Sequence, residues 1–93
     1  MYSVAVKCLI EVIGTFFFVS VILNMYKNKL IGPIAIAVAL LLAIYLGGPI
    51  SGGHFNPAVT LSMYLKHKLA FNEASMYVLS QMIGAYVAIL VNK

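Results

Sequence analysis

The chain is short of charge. Only 9% of its 93 residues are charged, against about 25% in an ordinary soluble domain. With 63% hydrophobic residues and a mean hydropathy of +1.05, it is expected to be an integral membrane protein, with room for one small bundle. The acidic residues are Glu11 and Glu73 alone, and arginine is absent. Six lysines supply the net charge of +4. They are scattered at segment ends, which argues against a nucleic-acid surface and marks membrane boundaries. One cysteine, Cys8, excludes an internal disulfide. No Ser-His-acid set, phosphate loop or nucleotide fingerprint can be assembled, so neither enzyme chemistry nor a cofactor is expected. A potassium-type filter is missing as well. No second His, Cys or carboxylate lies at ligand spacing from His54, so no metal site is expected. Tandem repeats and low-complexity stretches are absent too.

What is present is three long apolar runs. The first covers about residues 4–23, the second about 30–46 and the third about 71–91. A spanning helix needs about 20 residues, with a range near 17–25, so all three qualify. The first carries Glu11, has no clear small-x-small cleavage site and is followed by further spans. It reads as a retained helix rather than a signal peptide. Gly47-Gly48-Pro49 is expected to stop the second helix. Asn72 is a candidate N-cap for the third.

Between the second and third runs lies a different kind of segment, about residues 47–65. Its centre reads Ser51-Gly-Gly-His-Phe-Asn-Pro-Ala-Val-Thr-Leu61. Asn56 suits an N-cap and Pro57 suits the first helical turn. Ala58 to Leu65 is apolar but only half a span long, and Lys66-His67-Lys68 closes it with cations that suit a helix C-terminus. The local chemistry therefore predicts a re-entrant half-helix that starts at mid-membrane. Non-helical backbone is tolerated there only when buried in protein or lining a wet cavity. Gly52 and Gly53 would let the backbone run extended with its carbonyls facing a narrow passage. The Asn56 amide would donate to a solute at the half-helix tip. That tip carries roughly half a positive charge, which admits neutral solutes and opposes cations. The alternative is a turn that only caps a helix.

Glu11 in a span is costly unless paired. It reads as a buried acceptor for the glycine-rich loop or for His54, with Gly14 and Thr15 on nearby turns allowing close helix contact. Its alternative is a glutamate that reaches interfacial water. His54 reads as a structural hydrogen-bond partner within the loop, and His67 as solvated. Gln81 could bond to the loop, while Gly84 and Ala85 suit helix packing. Phe16-Phe17-Phe18 and the tyrosines read as lipid-facing or packing residues.

These residues resemble the aquaporin and glycerol-facilitator (major intrinsic protein) family, in its N-terminal half. The resemblance rests on Glu11-x-x-Gly14-Thr15, the eleven residues Ser51–Leu61 around Asn-Pro-Ala, and Gln81-x-x-Gly84-Ala85. It implies six helices and two half-helices in two inverted repeats, of which this chain holds one. It is then an all-α aquaporin-like half repeat of three transmembrane helices and one half-helix, embedded in a lipid bilayer. The resemblance further implies passage of water or small neutral solutes such as glycerol, often in a tetramer. By position it makes Asn56, Pro57 and Ala58 the first of two pore-centre boxes, with Val59 beside the constriction. It gives the loop carbonyls to Gly52, Gly53, His54 and Phe55, and the hydrophobic wall to Phe18 and Leu40. Ile36 would hold the second-helix position of the selectivity filter, where an isoleucine in place of an aromatic permits a wider filter.

The family pattern also has a second Asn-Pro-Ala followed by an arginine, which this sequence does not contain. Three readings follow: a piece of a two-repeat channel, a half-channel that pairs with another chain or an antiparallel copy of itself, and a non-conducting membrane protein that scaffolds others. With three lysines expected on each side, Lys7, Lys66 and Lys68 against Lys27, Lys29 and Lys93, the charge rule gives no preferred orientation.

Overall fold

The computed structural model describes all 93 residues and is entirely helical. Helix α1 covers Val4–Met25, α2 Gly32–Ser51, α3 Pro57–Leu65 and α4 Phe71–Val91. At 1.5 Å per residue the three long helices span roughly 30–33 Å, which matches a hydrocarbon core of about 30 Å. All three are apolar enough to cross a membrane.

Local chemistry accounts for most helix ends. Ser3 caps α1, its Oγ accepting from the Val6 N–H at 3.2 Å. In the following turn Asn28 Oδ1 accepts from the N–H groups of Leu30 and Ile31, a short loop held by a side chain. Pro33 lies in the first turn of α2, where its missing N–H costs nothing. Helix α3 ends in a left-handed cap. His67 takes φ 60°, its N–H donates to Tyr64 O, and the Lys68 N–H donates to Met63 O. That pair of bonds satisfies carbonyls the last turn would otherwise leave bare. His67 thus has a backbone role beyond being solvated.

Two expected boundaries are corrected. Gly47-Gly48-Pro49 does not stop α2, which continues to Ser51, with Gly52 as its left-handed cap. Pro49 removes only the N–H that would bond Tyr45, and continuing the helix still satisfies backbone that would be expensive to expose at membrane depth. Nor is Asn72 the cap of α4. Ala70 holds that position without a side-chain bond, and Asn72 lies inside the first turn with Glu73. Helix α1 also runs two residues past the expected 23.

Helix α1 is central, packed against both α2 and α4, while α3 rests on α4. Lys7 meets Glu73 at 4.0 Å near one end. Asn24 Nδ2 donates to Asn92 Oδ1 at 2.8 Å at the other. Helices α1 and α4 are therefore parallel. The end of α2 reaches Glu11 through Ser51, about 10 Å along α1 from its start. So α2 stops well inside the bundle, and the chain returns to the starting face along α3, whose nine residues cover about 13 Å.

Burial is inverted relative to a soluble domain. The buried set is mostly small or polar, with Ala39, Ala43, Ala74, Ala88, Glu11, Thr15, Ser51, Thr60 and Gln81 among them and Phe55 and Tyr77 as the large exceptions. Leucines, isoleucines and the tyrosines Tyr2, Tyr26, Tyr45 and Tyr86 cover much of the outside. In lipid no hydrophobic gain comes from burying Leu, so small residues and hydrogen bonds hold helices together.

Candidate functional site

The segment Gly52–Asn56 joins α2 to α3, and its shape comes from one carboxylate. Glu11 is fully buried on α1. Its Oε2 accepts from Ser51 Oγ at 2.8 Å and from the His54 N–H at 3.0 Å. Its Oε1 accepts from the Phe55 N–H at 2.8 Å and from Gln81 Nε2 at 2.9 Å. Four donors fill the acceptor sites of an ionised carboxylate. No cation pairs with it; neutral donors from α2, the loop and α4 make up for lost hydration. Ser51 extends the network, its Oγ accepting from the Gly53 N–H at 3.1 Å.

The loop is wound rather than extended. Gly52 and Gly53 have φ of 93° and 64°, and Phe55 has 52°. Left-handed backbone is cheap for glycine and strained for Phe55, whose N–H is held by Glu11. The sequence expectation of an extended backbone is corrected accordingly. Phe55 is buried, and its ring passes between α1 and α2. A Cβ on Gly14 would overlap that ring, and one on Gly47 would lie 3.0 Å from it. Those two glycines make room for the wedge.

The loop N–H groups of Gly53, His54 and Phe55 are bonded inward. The carbonyls of Gly52, Gly53, His54 and Phe55 accept no bond from the chain. Asn56 caps α3, its Oδ1 accepting from the Ala58 N–H at 2.8 Å. The residue is exposed, and its Nδ2 remains a donor. Val59 and Ala58 are exposed beside it, and Pro57 is half-buried in the first turn.

His54 is buried and held on two sides. Its Nδ1 lies 2.8 Å from Thr60 Oγ1, and its ring tilts against Tyr77 at 5.0 Å between centroids. The Tyr77 hydroxyl donates to Ser51 O, and Gln81 Nε2 donates to Thr60 Oγ1 at 2.9 Å. The structure therefore brings Glu11, Gln81, His54, Phe55 and Gly53 into one network, while the Gly52 N–H closes the end of α2 on Gly48 O. Ile36 and Leu40 on α2, and Phe18 on α1, are half-buried outside it. Thr60, Ser51 and Tyr77 belong to the network without having been singled out from sequence. For Tyr77 a signal existed: Ala74, Tyr77, Gln81, Gly84 and Ala88 repeat at alternating three and four residues, and all are buried on α4. No group of metal-ligating side chains is present.

The major intrinsic protein family model matches residues 1–93. Glycerol uptake facilitator protein-like 6 of Lactiplantibacillus plantarum is 39% identical over 87 residues, covering 88% of this chain and 40% of the relative. Aquaporin NIP1-1 of Zea mays is 36% identical over 91 residues, covering 88% of this chain and 32% of its own. Probable aquaporin TIP5-1 of Arabidopsis thaliana is 38% identical over 104 residues, with 96% and 41% covered. The chain thus spans about two fifths or less of these relatives' length. No solved structure matches it.

Proposed function

Given that this chain belongs to the major intrinsic protein family, we propose that it is half of an aquaporin-like channel for passive flux of water or small neutral solutes of the glycerol type. The reading rests on one observation: a loop whose N–H groups are bonded inward to Glu11 and Ser51, whose carbonyls are unbonded, and which ends at the exposed Asn56. Carbonyls and one amide donor in a row offer a neutral solute successive partners. The partial positive end of α3 opposes cations at the same point. Val59 flanks the passage, and Phe18, Leu40 and Ile36 supply apolar wall, with Ile36 at the filter position. A pore closed on all sides takes a second half repeat, from a longer form of this chain, from another chain or from an antiparallel copy, with higher assembly built on that unit.

Stopped-flow light scattering on proteoliposomes of this chain tests the proposal. Fast osmotic shrinkage is expected, slowed toward empty liposomes by Asn56→Ala. That change also removes a helix cap, at about 1 kcal/mol. Asn56→Ser keeps the cap oxygen and loses the amide donor, and is expected to slow flux as well. If the inserted chain alone leaves liposomes no more permeable than empty ones, self-pairing is rejected, and the chain is incomplete or non-conducting.

Antiparallel pairing has a specific motive. The ends near Lys7, Lys66 and Lys68 lie on one face, and those near Lys27, Lys29 and Lys93 on the other, three cations each. Orientation follows lysine and arginine bias, and here there is none. Labelling the termini in cells is expected to find both on both sides of the membrane. A single orientation rules out the antiparallel copy.

A further inference from the structure

Between α1 and α2 lies a space that the loop network does not use. Ile13 and Phe17 on α1 and Leu42 and Leu46 on α2 form the exposed rim of a cavity of about 270 Å³. Its floor is buried: Ala43, Gly47 and the Phe55 ring. Gly14 and Gly47 admit the ring between the helices, and the ring does not fill the gap they leave. Gly52, Gly53, His54 and Asn56 take no part in the lining, and no lining side chain carries an oxygen or a nitrogen. Ile10, the lining residue nearest the start of α1, lies about 9 Å along the helix and Phe17 about 20 Å. The hydrocarbon core is about 30 Å thick, so the cavity lies inside it and reaches past its middle.

Depth, lining and volume select the occupant. Water finds no partner there, and apolar cavities stay dry. A helix is about 10–12 Å across, so a helical stretch as long as the cavity has roughly three times its volume or more and can only lie across the rim. Left empty, the lining forfeits its dispersion contacts. A straight acyl chain is thin enough to enter and apolar enough to stay. We propose that the α1–α2 cavity is a binding site for one acyl chain of a membrane phospholipid, seated against the Phe55 ring. The chain leaves hydrocarbon for walls that are equally apolar, so the gain is close packing. Selection is therefore by shape, and straight chains are preferred to methyl-branched ones. The seated chain backs the ring whose backbone is held at φ 52°, so the bilayer reaches the loop through Phe55. The site needs only the membrane setting and is independent of the channel reading.

Photo-crosslinking of the full chain in bilayers tests it, with a phosphatidylcholine that carries a diazirine near the end of one straight chain. Peptide mapping is expected to find label on Ala43, Gly47 or Phe55, buried positions that lipid passing over the surface does not reach. Ala43→Leu puts a side chain into the space. It is expected to abolish the label on Phe55 and to spare that on the exposed Leu79 of α4. In a host bilayer of methyl-branched diphytanoyl phosphatidylcholine, competition for the site falls. The ratio of Phe55 label to Leu79 label is then expected to rise above its value in a straight-chain host. This comparison uses the unaltered chain, so it decides the matter even if Ala43→Leu fails to insert. Label on Leu42 and Leu46 but on none of the floor residues overturns the proposal, because chains then pass over the cavity. Rim and floor both unlabelled, with Leu79 labelled, overturns it in favour of a second helix lying across the rim. Equal ratios in the two hosts overturn it as well.

Discussion

Replacing Glu11 with alanine is expected to melt the loop while leaving the long helices in place. The change strands the backbone N–H groups of His54 and Phe55, which have no other acceptor. Each buried orphan donor costs about 1–3 kcal/mol, so the loss is about 2–6 kcal/mol. Ser51 and Gln81 are less exposed to the change. Ser51 Oγ also reaches Gly47 O at 3.4 Å, and Gln81 also bonds Thr60. Phe55 is held at φ 52°, a conformation that persists only while its surroundings impose it. Without Glu11 it is expected to relax and withdraw its ring from between Gly14 and Gly47. Glu11→Gln is expected to lose about as much, because its NH2 group would face two donors. Hydrogen–deuterium exchange is the measurement. The His54 and Phe55 amides should lose protection in both variants while mid-helix amides of α1 and α4 keep theirs. Unchanged protection at residues 54 and 55 would sink the account of Glu11 as the loop's anchor.

Gly84→Ala is expected to force α1 and α4 apart for a single added methyl. A Cβ there would overlap the backbone carbonyl of Val12 and lie 3.1 Å from the backbone nitrogen of Phe16. Backbone of a neighbouring helix cannot rotate away, so α1 and α4 must separate. Overpacking typically costs 1–3 kcal/mol, and about 3 is expected here. Separation would also stretch the Gln81–Glu11 bond one turn away. Gly48→Ala is the control. Its Cβ would meet only Ile44 Cγ2 at 3.7 Å, and it is expected to change stability by less than about 1 kcal/mol, in either direction. Denaturant titration in detergent compares the two. Equal effects would mean that α1 and α4 do not pack as closely as described.

Several features were readable before any coordinates. Each apolar run is long enough to demand a helix, and Asn56-Pro57 writes both its cap and its first turn. Glu11 stands out because a lone carboxylate in a span must find donors. The misreadings are as instructive. Gly47-Gly48-Pro49 reads as a stop by local propensity, but Gly47 is small because Ile10 and Phe55 press on it. Gly52 and Gly53 read as extended, yet they wind left-handed because Glu11 and Ser51 draw the following amides inward. Asn72 offers cap chemistry at a position two residues too late for where α4 begins.

The sequence by itself determined the membrane setting, the three spans, the half-helix and the residues that carry polar chemistry. These follow from composition, run length and capping, all local properties of a chain in a low-dielectric solvent. The tertiary structure alone decided which partners share Glu11, that Thr60 meets His54 Nδ1, and that Phe55 fills the gap between Gly14 and Gly47. The bonds to Glu11 join residues 40, 43, 44 and 70 positions apart. No local pattern encodes such pairings; they exist only once α1 lies between α2 and α4 and a buried carboxylate must collect every donor within reach.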